Sequence, residues 1–401
     1  MVDFKLSPDE QELWEKAVQF TREYITPHAI ELDKADEFPM ELAQRAYEAG
    51  LMNLHVPKAA GGPERTLVDE TLVSEATGYG DTGAATSIMC NNLAFTPLLI
   101  GSTLEQLQKY VQPLVTYDKV KLAAFCLTER EAGSDAAATK TLAEKDGDGW
   151  AITGRKCWIT NAPVADLFTV FASTDPDKKH KGISVFYVPK DAGVKIGHIE
   201  NKIGQKASSQ SEVVFENVHV PADALVGKEG EGFKIAMMTL DKTRSSVAAI
   251  GVGVCQRCTD EAARFANIRK QFGQPIGRFE GISFIIADMG MRAAAARHLT
   301  RYAAWLADHG LPNSKDSAFA KTFATDAAMR NATDAIQVFG GYGYAQEYGL
   351  GTIFRGAKLL QIYEGTNQIQ RVVSGNIILK EARNKDTGFK LNYDGVDAPQ
   401  I

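Results

Sequence analysis

Apolar positions in the first third of the chain recur at helical spacing. Leu13, Ala17, Phe20 and Tyr24 fall three or four residues apart. They follow Ser7-Pro8-Asp9-Glu10, where Ser7 can cap, Pro8 suits the first helical position and Glu10 can close a capping box. Further helices are predicted around residues 38–53, 66–79 and 83–101. From about residue 121 β-branched and aromatic residues come in short runs, at 150–160, 167–172, 182–188 and 212–220. Asp146-Gly147-Asp148-Gly149 and Asp175-Pro176-Asp177 separate them as turns. After Gly230-Glu231-Gly232 the helical period returns. Phe284, Ala287, Met291 and Ala294 trace one stripe of a long helix, and 318–338 is an Ala-rich segment with few breakers.

This pattern predicts an α+β chain, mostly α, in three domains. They are an N-terminal helical domain at 1–120, a β-barrel or sandwich at 121–230 and a helical bundle at 231–383. The stretch 384–401 carries no stripe and is expected to be a tail, disordered unless it docks on a partner. A length of 401 residues suits two or three such units without disulfides or metals.

Composition narrows the function classes. Hydrophobic residues make up 44% and charged residues 23%, values of a folded, water-soluble protein. The net charge of −6, with no dense basic run, excludes a nucleic-acid binder. The charge-free stretch 82–104 has the length of a membrane span, but it contains Asn91, Asn92 and Pro97 and reads as a buried helix, so no membrane insertion is expected. The N-terminal residues carry no export or organelle pattern, and a cytoplasmic location is expected. Five thinly spread cysteines fit a reducing compartment. Cys255 and Cys258 are expected to be helix-buried thiols, since no second Cys or His pair completes a metal site.

Several segments can carry chemistry. Gly78-Tyr79-Gly80-Asp81-Thr82-Gly83 matches a dinucleotide fingerprint, but a helix precedes it and no acidic residue follows at ribose distance, so it reads as a helix-to-helix turn. The stretch from Phe125 to Asp135 places Gly and hydroxyl residues where helices give way to strands, which lets the backbone approach a planar or phosphorylated ligand. Trp158 and Thr160 lie two apart on a predicted strand and share a face, so an indole and a hydroxyl can meet one flat polar ring. In Gln361-Ile362-Tyr363-Glu364-Gly365-Thr366-Asn367-Gln368 a carboxylate sits among apolar neighbours, where desolvation would raise its pKa toward that of a useful base. Standing alone, Glu364 reads as a capping or salt-bridged surface residue.

Together with Arg269-Lys270-Gln271-Phe272-Gly273 and Gln337-Val338-Phe339-Gly340-Gly341, these segments in this order resemble the flavin-dependent acyl-CoA dehydrogenases, closest to the medium-chain type, over about residues 5–380. The resemblance implies a C-terminal four-helix bundle, FAD between the β-domain and the bundle, and a homotetramer built as a dimer of dimers. It implies an enzyme in which Glu364 removes the α-proton of a short- to medium-chain acyl-CoA while flavin N5 takes the β-hydride, with an electron-transferring flavoprotein as acceptor. By the same resemblance Thr128, Trp158 and Thr160 meet the flavin ring, Thr366 and Gln368 hold its ADP half, and Arg269, Phe272, Gln337 and Gly341 reach FAD across the dimer interface. Ser134, Asp241, Arg244 and Gly365 match substrate-side positions. Two departures stand out. Arg130-Glu131 replaces the family's usual Pro-Gly near the CoA entrance, and Asn91-Asn92 puts amides on the acyl-pocket helix. A buried Asn needs partners, so either the pair caps structure, the favoured reading, or Asn91 is a candidate substrate contact, which would favour a cyclic, aromatic or dicarboxylic acyl group. An oxygen-using variant and a non-catalytic CoA- or flavin-binding scaffold stay open as rival readings of the same residues.

Overall fold

The computed structural model describes residues 5–383, so the 384–401 tail lies outside the described residues. The N-terminal third is helical: α1 (Pro8–Phe20), α2 (Ala29–Ala35), α3 (Met40–Glu48), α4 (Leu67–Gly80), α5 (Thr82–Gly101), α6 (Leu104–Tyr110) and α7 (Gln112–Val115). The capping box expected at α1 is formed, with the Ser7 hydroxyl accepting from Glu10 N and the Glu10 carboxylate accepting from Ser7 N at 2.7 Å. α5, the one helix among the described residues long and apolar enough to cross a membrane, has 83% of its most apolar window buried in the protein; it is a core helix. Gly78 and Gly80 fall inside the last turn of α4 rather than in a loop. A Cβ at Gly78 would lie 2.7 Å from the Ile250 Cα, so the glycine serves close helix packing.

Eight strands follow: β1 (Ala123–Cys126), β2 (Leu142–Asp146), β3 (Gly149–Thr160), β4 (Leu167–Ser173), β5 (Ile183–Pro189), β6 (Lys195–Ile199), β7 (Gln210–Pro221) and β8 (Leu225–Val226). They form one sheet in the order β6-β7-β3-β2-β4-β5-β8, with β1 pairing β4 in parallel. β2 and β4 share a single register pair, Leu142 with Ser173, and Trp150 of β3 meets Phe186 of β5 edge-on at 5.3 Å. The sheet therefore folds over on itself around an apolar core.

The last third is a bundle of α8 (Gly232–Ile268), α9 (Glu280–Asp308), α10 (Ser314–Phe339) and α12 (Asn367–Arg383), with α11 (Leu350–Leu360) across it. A ribbon of β9 (Lys270–Gln271) and β10 (Gln274–Pro275) links α8 to α9. Cys255 and Cys258 are buried on α8, as expected of structural thiols. α4 packs on both α8 and α9, and Glu75 ties the two domains by accepting from Arg297 at 2.8 Å and Arg301 at 2.9 Å. The predicted α9 stripe is on the outside: Phe284 is 64% and Met291 63% exposed, with Ala287 and Ala294 beside them.

Candidate active site

The site is organised by the turn between α11 and α12. Glu364 and Gly365 both adopt left-handed backbone, with φ of 51° and 86°. For a non-glycine residue this conformation costs roughly 1–3 kcal/mol, so it persists only where surrounding bonds determine it. Three neighbours do so. Lys321 Nζ donates to Gly365 O at 2.9 Å, Gln370 Nε2 donates to the carbonyls of Glu364 and Gly365 at 3.1 and 3.0 Å, and Asn367 N donates to Gln361 O at 3.0 Å. A Cβ on Gly365 would sit 2.5 Å from Gln370 Nε2, which explains a glycine there.

The Glu364 carboxylate is turned into the protein, where Thr243 Oγ1 of α8 donates to its Oε2 at 2.7 Å. Burial raises its pKa to about 7; the charge of Glu70 pushes the same way, against the Thr243 hydrogen bond and the cations Lys321 and Arg244. Glu70 is buried on α4 and paired with His55. Cys90 of α5 also borders the carboxylate: burial raises its thiol pKa, and the Glu364 charge adds to that. Tyr363 anchors the preceding position, its hydroxyl 3.3 Å from Thr86 Oγ1.

The sheet supplies a second wall. A bulge between Lys156 and Ile159 puts Trp158 at φ 59° and leaves it 56% exposed, while Ile159 is buried and Thr160 is partly exposed on the same side as the indole. Gln210 Nε2 donates to Thr160 Oγ1 at 3.1 Å. Thr128 is held against the bulge by its carbonyl, which accepts from Cys157 N at 2.9 Å. Beneath lies a fully buried Lys156, donating to Glu129 Oε1 at 2.8 Å, Leu127 O at 3.1 Å and Thr139 Oγ1 at 2.9 Å.

Arg269 and Phe272 lie on the β9–β10 ribbon, with Phe272 at its tip, φ 50° and 93% exposed. The Arg269 guanidinium stands over the Tyr342 ring at 5.1 Å, which brings the ribbon to the end of α10 where Gln337 and Gly341 are exposed. Thr366 caps α12 by accepting from Ile369 N at 3.2 Å, and Gln368 is exposed in its first turn. Asp241 is engaged by Arg244 and by the Ser314 hydroxyl; Arg244 is buried and its Nε has no protein partner. Ser134 is exposed in the loop after β1, near Glu131, which pairs with Lys140.

Asn91 Nδ2 donates to Asn53 Oδ1 at 3.1 Å and Lys121 O at 2.9 Å, and its Oδ1 accepts from Ala123 N at 2.9 Å. With these bonds made within the protein and its side chain fully buried, Asn91 joins α5 to β1, as the structural reading of the pair expects. Sequence reasoning misses Thr243, Lys321 and the Glu129–Lys156 pair. Lys321 has a signal, a cation among Ala and Phe in the Ala-rich 318–338 run; Thr243 has none.

A flavin dinucleotide fits the groups present. An exposed indole beside a hydroxyl suits a flat polar ring, and the 17-residue α12 offers the positive end of its dipole at Thr366 to a pyrophosphate. No group of metal-ligating side chains occurs among the described residues.

Three family profiles cover the chain in order: acyl-CoA dehydrogenase, N-terminal domain, at 7–118; middle domain, at 124–218; and C-terminal domain, at 230–379. The chain belongs to the acyl-CoA dehydrogenase family. A probable acyl-CoA dehydrogenase FadE25 of Mycobacterium tuberculosis is 40% identical over 379 residues, 94% of this chain and 97% of the relative. The structure of butyryl-CoA dehydrogenase from Megasphaera elsdenii superposes with a TM-score of 0.91 at 38% identity, over 94% of this chain and all of that one. An FAD complex of PigA superposes at 0.89 with 31% identity, over 95% of this chain and all of that one. As a member of the acyl-CoA dehydrogenases, the protein is an oxidoreductase with FAD as cofactor.

Proposed function

We propose that this acyl-CoA dehydrogenase carries out α,β-dehydrogenation of a short- to medium-chain acyl-CoA, with Glu364 as the base. The observation that carries the reading is a carboxylate held in a left-handed turn, with a pKa raised to about 7 and one oxygen fixed by Thr243. A base so placed is ionised in useful amount near neutral pH yet basic enough to take a proton from the carbon next to a thioester. Thr243 orients the carboxylate, and the turn fixes where its backbone N–H points, which suits that group to polarise the thioester carbonyl. When bound, FAD supplies the acceptor for the β-hydride. Thr128, Trp158 and Thr160 would hold its ring, Thr366 and Gln368 its diphosphate half, and Arg244, Asp241, Gly365 and Ser134 the substrate side.

Arg269, Phe272, Gln337 and Gly341 are grouped at one end of the bundle, and an aromatic ring 93% exposed at a ribbon tip suits reaching FAD in a second copy. Together with the bare α9 stripe this supports a homotetramer. Two electrons leave the flavin in each turnover, and an electron-transferring flavoprotein is the acceptor we propose. With Asn91 committed to the fold, a polar or ring-bearing acyl group loses its main support.

Flavin bleaching tests this reading. Straight-chain four- to eight-carbon acyl-CoAs should bleach the yellow protein faster than branched, cyclic or dicarboxylic ones. Glu364→Gln should remain yellow and folded but not bleach, and normal turnover in that variant would refute the assignment.

A further inference from the structure

Lys321 is a buried cation with no solvent exposure, in the N-terminal third of α10, and such a lysine persists only when its ammonium is paired. Its partners lie in the turn that carries the base. Nζ donates to Gly365 O at 2.9 Å and to Asn367 Oδ1 at 2.8 Å. Asn367, itself 2% exposed, is fixed in turn by Thr325 at 2.9 Å and Asp326 at 2.7 Å, and Thr325 Oγ1 donates to Lys321 O at 2.7 Å. The ammonium therefore clamps the left-handed pair Glu364-Gly365 from a rigid helix.

We infer that Lys321 is a positioning residue for the proton-abstraction step: it locks the Glu364-Gly365 turn onto α10 and keeps the Glu364 carboxylate ionised by the charge it places behind it. This rests on Glu364 being the base. Around that carboxylate stand Thr243 and Arg244 from α8, Glu70 from α4, Cys90 from α5 and Tyr363 from its own turn, while Asp326 of α10 faces the ammonium. Glu70 and the burial itself favour the protonated acid, so a nearby cation is needed to hold the useful form. Burial pushes the Lys321 pKa down to about 7, and Glu364 pulls it back up, so the two groups share a common range of pH.

The sign of the effect is fixed. A cation near a carboxylate stabilises its ionised form, so removing it raises the pKa of Glu364 and moves the acid limb of the rate profile to higher pH. Three FAD-loaded variants separate clamp from charge. Lys321→Met removes both, Lys321→Gln keeps a neutral donor, and Lys321→Arg keeps the charge. For Lys321→Met, kcat at pH 7 should fall at least about 10-fold with KM changed by less than about 3-fold, and the acid limb should move up by roughly one pH unit. Lys321→Gln should regain much of kcat at high pH while keeping the displaced limb, and Lys321→Arg should return the limb toward its original position.

An infrared titration of the carboxyl band that Glu364→Gln abolishes should report the same displacement without turnover. If Lys321→Met does not fold, the Gln and Arg variants carry the test. An unmoved acid limb in folded, yellow Lys321→Met or Lys321→Gln overturns the inference, as does loss of FAD in all three variants, which marks a purely structural lysine. Normal turnover in Glu364→Gln instead overturns the assignment of the base.

Discussion

The Thr243 hydroxyl donates to the Glu364 carboxylate at 2.7 Å, joining the middle of α8 to a turn 121 residues further along the chain. That bond favours the ionised carboxylate against the burial that raises its pKa to about 7. A base must be ionised to act, so kcat should rise with pH through about 7 and level off above it. Thr243→Val should raise the Glu364 pKa further and move the rise to higher pH by about one unit, since a hydrogen bond to a charged group contributes about 1.5–3 kcal/mol. A kcat profile from about pH 5.5 to 9 checks both statements.

The Glu129–Lys156 pair should govern stability beneath the bulge that carries Trp158. Burial opposes the charge of Glu129, but Lys156, Thr139 and Thr141 outweigh it and hold the pKa at about 2. A depressed carboxylate contributes stability above its unfolded pKa and loses it as pH falls through the folded value, so this contribution should vanish between about pH 4 and pH 2. Lys156→Met strands a buried carboxylate and should cost about 3–5 kcal/mol, with much of the loss recovered in the double variant carrying Glu129→Gln. Urea unfolding at neutral pH reads both changes.

Asn91→Ala should destabilise without redirecting selectivity. Three hydrogen bonds between the α5 amide and its neighbours would be lost, two leaving buried backbone groups unpaired, at a cost of about 2–4 kcal/mol. The order of preference among acyl-CoAs should be unchanged, which a bleaching series measures directly.

The outer face of α9 should mediate self-association. Phe284→Glu with Met291→Glu should break the assembly into smaller species on size-exclusion chromatography with light scattering, at little cost to the isolated fold, because both side chains are exposed.

Much of this architecture is written in local patterns. The change from period 3.6 to short β-branched runs near 121, the cap at Ser7 and the burial of Cys255 and Cys258 depend on neighbours in sequence, and they are legible there. Short strands such as β1 and β6 are not, since four or five residues carry too little periodicity to stand out from loops. Trp158 and Thr160 are both more exposed than Ile159 between them, but the bulge at Trp158 depends on a positive φ which tryptophan does not advertise. Asn91 is legible only as a buried amide in need of partners, because the groups that satisfy it, Asn53, Lys121 and Ala123, lie about 30 or more residues away. Glu364 in isolation resembles a surface acid, and only the meeting of α8, α10 and α4 around it gives it the raised pKa that suits the role of base proposed for it.

That meeting also bears on biosynthesis. Thr86 and Tyr363, the latter next to Glu364 in the chain, have hydroxyls 3.3 Å apart and are separated by 277 residues. A ribosome adding about 5–20 residues per second needs about 14–55 seconds to span that interval, so the Thr86 hydroxyl of α5 waits that long for this partner although α8 already covers α4 and α5. The turn around Glu364 is therefore among the last parts of the fold to close during synthesis, added to helices that already pack on one another.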